Sequence, residues 1–242
     1  MDKINIGTSG YIYDHWKGRF YPEDLPQEKW FEYYAESFDT VEINNTFYNL
    51  PEETTFEKWR DRASKDFCYA VKANRYITHM KKLKDPKEPW NNFWNRAKIL
   101  DNNLGPVLFQ LPPNWNANPE RLKNFISVLP DNLLCAFEFR DPSWYNDDIF
   151  KILSDSGHTL CIHDMDTDDV PDIMIGDFAY LRFHGITGKY QGKYGRDNLE
   201  GKAKWLKENV LSKGKPVFAY FNNDDHGYAP EDAKLFRNML SE

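Results

Sequence analysis

The stretch CAFEFRDPSW, residues 135–144, decides how the rest of the chain is read. Side chains of a strand alternate between its two faces. Phe137 and Phe139 therefore share one face, while Ala136, Glu138 and Arg140 share the other. Charges on one face of an otherwise apolar strand are costly to bury alone. That face must meet partner charges, water or a ligand.

The same division recurs along the chain. Val41 and Ile43 oppose Glu42 and Asn44, Tyr69 and Val71 oppose Lys72 and Asn74, and Leu181 and Phe183 oppose Arg182 and His184. Gln110, His163, Tyr220 and Asn222 fall on comparable faces, late in their strands. The strand segments are 4–10, 40–44, 67–74, 106–112, 134–140, 159–164, 179–185 and 216–224. Amphipathic patterns separate most of them: Trp30, Phe31, Tyr34 and Phe38; Leu122, Phe125, Ile126 and Leu129; Leu199, Ala203, Leu206 and Val210. The tract MDTDDVPDIMIGD, 165–177, has only a short apolar pattern around a proline, so the sixth unit is expected to be irregular. No linker, charge block or composition shift divides residues 1–242. The pattern predicts an α/β protein, a (β/α)8 TIM barrel in a single domain over 1–242, with an open doubly wound sheet as the alternative. In a barrel the late polar residues line the C-terminal mouth, where barrel enzymes place their chemistry.

Composition bounds the partners. With 17 Phe, 14 Tyr and 8 Trp there is ample material for a packed core. A net charge of −7 argues against a surface that binds nucleic acid or acidic membranes everywhere, so any anion site is local. No apolar run is long enough to span a membrane, and the N-terminus lacks the pattern of a signal peptide, so the expected location is cytoplasmic. Cys68, Cys135 and Cys161 form no CxxC pair and are expected to be buried, reduced thiols.

The inward positions supply three fixed cations, Lys72, Arg140 and Arg182, against the carboxylates Glu42 and Glu138, with His163 and His184 as titratable additions. That local excess predicts an anionic ligand, a phosphorylated small molecule or a nucleic-acid fragment. Glu138 is the candidate acid or base, Glu42 the second carboxylate, and His184 a proton-transfer group. Lys72, Gln110, Arg140, Arg182, Asn44 and Asn222 are candidate substrate contacts, and Tyr48 and Trp144 belong to an aromatic rim that stacks on bases or sugars. Glu42 and Glu138 start far across the mouth, which disfavours a retaining glycosidase, whose carboxyls lie about 5 Å apart. The loop after the seventh strand, GITGKYQGKYGRD, adds Lys189, Lys193 and Arg196 among four glycines. Neither HExxH, GxSxG, GxGxxG nor a P-loop is present. Lys and Arg at the same level would repel a cation, so neither a metal nor a cofactor is expected.

Seven segments carry a resemblance: GTSGYIYDHWKGRFYP (7–22), FDTVEINNTFYNLP (38–51), FCYAVKANRYITH (67–79), LGPVLFQLPPNW (104–115), FEFRDPSW (137–144), YLRFHG (180–185) and YFNNDDHGYAPEDA (220–233). Together they resemble the YecE-like family almost end to end. The resemblance implies a TIM barrel comparable to xylose isomerase and endonuclease IV, and lends no activity. It adds Tyr190, Tyr194 and Asp224 to the candidate substrate contacts. The chain departs from the family pattern at Tyr11, usually Trp, and at Asp141, often His. The expectation is an enzyme, a hydrolase or lyase acting on an anionic substrate. The alternatives are a metal-assisted phosphodiesterase like endonuclease IV and a binder of single-stranded nucleic acid without turnover.

Overall fold

Eight strands run in parallel: β1 (Ile4–Thr8), β2 (Thr40–Ile43), β3 (Cys68–Lys72), β4 (Leu104–Gln110), β5 (Cys135–Glu138), β6 (Thr159–His163), β7 (Ala179–Phe183) and β8 (Val217–Phe221). The computed structural model describes residues 4–165 and 170–242, so the first three residues and four residues of the 165–177 tract lie outside the described residues. Strand order is β1-β8-β7-β6-β5-β4-β3-β2, the sequential circuit of a barrel. A doubly wound sheet would instead reverse direction at a switch point, so that alternative falls. Between β1 and β2 the seam is narrow: Ser9 bridges Glu42, and the Gly10 amide donates to the Glu42 carbonyl at 2.9 Å.

Helices occupy the crossovers: α1 (Trp30–Ser37), α2 (Asn45–Tyr48), α3 (Glu53–Arg62), α4 (Lys87–Ala97), α5 (Pro119–Ile126), α6 (Asp147–Asp155), α7 (Gly195–Asn209) and α8 (Ala229–Ser241). Local chemistry sets their starts. Asn118 accepts from the Arg121 amide at 2.9 Å ahead of Pro119, and Asn146 accepts from the Ile149 amide at 3.1 Å. The apolar pattern of α5 continues to a buried Leu129, but the helix itself stops at Ile126, close to Pro130. Among the described residues no helix joins β6 to β7. Val170, Ile173, Met174 and Ile175 pack there instead, and Thr159 Oγ1 ties the segment down by donating to the Ile175 carbonyl at 2.7 Å.

The alternation of faces produces two cores. Outward side chains such as Val71, Phe109, Phe137, Leu181 and Phe221 pack under the helices. Stacked rings run along this layer, with Phe109 and Phe137 at 5.1 Å and Phe183 and Phe221 at 4.4 Å. The inward core is smaller: Cys68, Ala70, Leu108, Ala136 and Cys161 face Phe178, Tyr180, Phe218 and Tyr220. These fill the lower barrel, so the inward positions above them sit on a dry floor. All three cysteines are buried and unpaired. Among the described residues no helix is long and apolar enough to cross a membrane.

Gly7 is what lets the seam close. A Cβ there would lie 2.2 Å from the Thr40 carbonyl oxygen and 3.0 Å from the Tyr34 hydroxyl. Backbone cannot yield as a flexible side chain does, so Gly7→Ala is expected to destabilise by about 1–3 kcal/mol or more. Urea denaturation checks it; a variant as stable as the parent would mean that β1 and β2 do not meet this closely.

Candidate functional site

Above the floor lies a chain of four charges, three of them buried and the fourth, Arg140, half-buried. Arg182, at the end of β7, donates from NH2 to Glu42 Oε1 at 2.8 Å and from NH1 to Glu138 Oε2 at 2.7 Å. Glu138 Oε1 in turn accepts from Arg140 Nε at 2.5 Å. Two carboxylates whose strands start far apart around the barrel are thus spanned by one guanidinium. Glu42 also accepts from the Tyr180 hydroxyl and from Ser9 Oγ, both at 2.7 Å, and from Asn44 Nδ2 at 3.0 Å.

Electrostatics follows from this pairing. Burial alone would raise the Glu138 carboxyl, but Arg182 and Arg140 outweigh it and hold it well below the usual range. Glu42 is likewise lowered against the effect of burial, first by Arg182 and then by hydrogen bonds from Tyr180 and Ser9. Burial works against the charge on Arg182 too, and the two carboxylates more than restore it.

Lys72, at the end of β3, is placed differently. It is 8% exposed and donates to Gln110 Oε1 at 2.6 Å, an amide in place of a carboxylate. Its Nζ lies 4.2 Å from the centre of the Phe47 ring, which also meets His79 at 4.9 Å and Tyr48 at 5.1 Å between ring centres. Burial, reinforced by Arg182, pushes the amine down to about 7. The sequence count of three fixed cations therefore needs correction, because Lys72 titrates near neutrality. Burial, then the nearby Lys72, brings His79 down to about 4.

On the opposite side of the mouth, His184 is buried with neither ring nitrogen hydrogen-bonded. Its Nδ1 lies 3.7 Å from Asp164 Oδ1, and burial followed by Arg182 lowers it to about 4. Asp164 accepts from the His184 amide at 2.7 Å and from the Tyr194 hydroxyl. Tyr194 OH also receives the Gly185 amide at 2.7 Å, so this tyrosine braces the glycine loop. Gly185 sits at φ 121°, where a Cβ would meet the Gln191 carbonyl at 2.2 Å. A cavity of about 200 Å³ opens beside His184, lined by Asp164, Met165, Gly185, Gly188 and Lys189. His163 bonds the Phe139 carbonyl at 2.8 Å.

The remaining candidates separate. Tyr48 and Tyr190 stand at the rim, 66% and 40% exposed, and Tyr190 lies 5.9 Å from the His184 ring. Asn44 and Asn222 are half-buried, and Asn44 donates to Glu42. Asp224 accepts from Trp16 Nε1 at 2.6 Å and pairs with His15 Nε2 at 2.9 Å, and burial raises its carboxyl to about 6 despite both contacts. Trp144 does not join them. It is fully buried, stacked on Phe139 at 4.8 Å, with its indole nitrogen donating to the Trp115 carbonyl at 2.6 Å, so it packs beneath the rim. Sequence reasoning missed Ser9 and Tyr180 as partners of Glu42, Asp164 beside His184, and His79 beside Phe47 and Lys72. The parity of Tyr180 with Arg182 was the one available signal. Among the described residues no group of three or more His, Cys, Asp or Glu is arranged to hold a metal ion.

The family model described as protein of unknown function DUF72 matches residues 5–242, and the chain belongs to that family, of which YecE-like is another name. The UPF0759 protein YunF of Bacillus subtilis (strain 168) is 26% identical, over 98% of this chain and 94% of its own. A DUF72 family protein (TM1631) from Thermotoga maritima MSB8 superimposes with a TM-score of 0.88 at 29% identity, covering 100% of both chains. One from Enterococcus faecalis V583 (EF0366) gives 0.82 at 18% identity, over 99% of this chain and 96% of that one, and at that identity it speaks for the fold alone. These likenesses agree with the TIM barrel.

Arg182→Met would leave two carboxylates buried without their shared counter-ion. Loss of one member of a buried pair costs about 3–5 kcal/mol, and that deficit is expected at pH 7. In the parent both carboxyls are lowered, so their stabilisation is lost as pH falls through the acid range. In the variant Glu138 keeps Arg140, but Glu42 loses its guanidinium and burial raises it, so acidification neutralises that cost. Denaturation midpoints of parent and variant should therefore converge between pH 7 and pH 5; a constant gap would contradict the bridge.

Proposed function

We propose that this DUF72 protein is an enzyme that binds an anionic, phosphorylated or carboxylated substrate at the C-terminal mouth of its barrel. One observation carries the reading. Glu42 and Glu138 match Arg182 and Arg140 charge for charge, whereas Lys72 has no carboxylate within ion-pair distance among the described residues. Lys72 is therefore a buried basic group left without a carboxylate partner, on a chain of net charge −7. Arg140, whose side chain is 10% exposed, and Lys72 are the cations that reach the opening, and they seat the anion.

Roles follow from the pairing. Glu138 and Glu42 act as positioning residues that orient the guanidiniums, because carboxylates lowered by two arginines exchange protons poorly near neutrality. Proton transfer falls to His184, a neutral imidazole with both nitrogens free beside a small cavity. Asp224, raised to about 6 and held by Trp16, is a second acid. A metal-assisted phosphodiester reaction is less favoured, since every oxygen of Glu42 and Glu138 already accepts from a protein donor. Binding of a single strand without turnover draws support from the exposed rim tyrosines Tyr48 and Tyr190, whose rings are available to stack on bases.

Titration with inorganic phosphate tests the seat. Arg140→Gln should weaken binding by roughly tenfold to a hundredfold, as expected for about 1.5–3 kcal/mol of a charge-assisted contact. Binding that ignores this substitution would remove the mouth as the anion site. Affinity confined to oligonucleotides and lost with the rim tyrosines would favour the strand binder.

A further inference from the structure

Lys72 is a buried amine at the mouth whose environment keeps it from a carboxylate. Its neighbours come from several elements: Gln110 at the end of β4 accepts its hydrogen bond, and the Phe47 ring of α2 covers it. Arg182 of β7, Arg140 past β5, Glu138 of β5 and Glu42 of β2 act on it electrostatically, as does His79 from the turn after β3. The carboxylates among these are already committed to guanidiniums. A lysine in this position is a weakly held ammonium that readily gives up its proton, and an unprotonated amine is a nucleophile towards carbonyl carbon. The guanidinium of Arg140, which acts on Lys72 electrostatically, would hold an anionic group at the same mouth.

We propose that Lys72 is an amine nucleophile that condenses with the carbonyl of an anionic oxo compound, a 2-oxo acid or a phosphorylated aldehyde or ketone. The inference rests on the anion seat described above and names the substrate class. The Nζ lone pair forms a bond to the carbonyl carbon, and the carbonyl π pair moves to oxygen. Nitrogen releases one proton and oxygen takes one, giving a carbinolamine. Protonation of that hydroxyl and departure of water, driven by the remaining nitrogen lone pair, give an iminium ion. In total one amine, one carbonyl and one proton yield one iminium and one water. His79, across the Phe47 ring, is the titratable group on the same side of the mouth available to carry protons.

Reductive trapping tests this. The full-length protein is incubated at pH 7 with cyanoborohydride and either glyoxylate or glycolaldehyde phosphate, and adducts are located by peptide mass spectrometry. Lys72 should be alkylated faster than the exposed Lys189 and Lys193 by at least about tenfold, as the larger neutral fraction of a depressed amine requires. The glyoxylate and phosphate arms distinguish an oxo acid from a phosphorylated carbonyl. Excess inorganic phosphate should slow the reaction at Lys72 and leave surface lysines unchanged. Lys72→Arg should lose the adduct. Adducts spread over exposed lysines with Lys72 unmodified, in protein that still binds phosphate, would overturn the amine inference and leave the anion seat standing. Lys72 labelled without any effect of phosphate would overturn the shared site, and with it the substrate class proposed here.

Discussion

The constraint on which the upper barrel depends is the desolvated guanidinium of Arg182, held between two carboxylates that cannot be buried without it. Coulombic attraction in a dry setting offsets a desolvation penalty of several kcal/mol per ion only when geometry and remaining hydrogen bonds are good. Here they are: Tyr180, Ser9 and Asn44 satisfy what Arg182 leaves open on Glu42, and Arg140 completes Glu138. Such a group ties β2, β5 and β7 into one electrostatic unit. A plug and a site are then not opposites, because the same pairing that ties these strands together also orients Arg140 at the mouth.

Beneath that unit the barrel is packed rather than hollow. Small inward side chains from β3 to β6 face Phe178 and large aromatic ones from β7 and β8, which pack the lower barrel. Tyr180 and Tyr220 belong to that filling and present their hydroxyls to Glu42 and to Thr40 at 2.7 and 2.8 Å. The rim above is of another kind, with Tyr48 and Tyr190 exposed and Tyr194 spent on bracing the loop that carries Gly185. Three levels, apolar, ionic and aromatic, are stacked along the axis by a two-residue alternation repeated from strand to strand.

That alternation is why so much was legible in the sequence. Phe137 and Phe139 against Glu138 and Arg140 already specified two faces, and the repeat of the pattern in six further segments favoured a closed circuit over an open doubly wound sheet. The inward identity of Glu42, Lys72, Gln110, Arg182 and His184 came with it. What the alternation could not supply was pairing. Which guanidinium meets which carboxylate depends on side-chain reach across the mouth, and Arg182 reaching both glutamates has no signature in spacing. Lys72 looked like a fixed cation because its amide partner and its aromatic cover come from β4 and from the loop after β2. Trp144 looked like a rim residue because position after a strand end does not say whether a ring points up or tucks under. Leu129 misled in the same way, since an apolar pattern outlasts the helix that it packs.

Glu42 holds two positions at once, at the narrow seam between β1 and β2 and at one end of the ionic chain. Its counter-ion stands 140 residues later. During synthesis, therefore, the second strand leaves the ribosome long before the seventh, and its carboxylate must remain hydrated until most of the polypeptide has been made. Pairings so remote in sequence form slowly. The pocket and the final closure of the cylinder thus mature together, late, with the N-terminal staves waiting on the C-terminal ones.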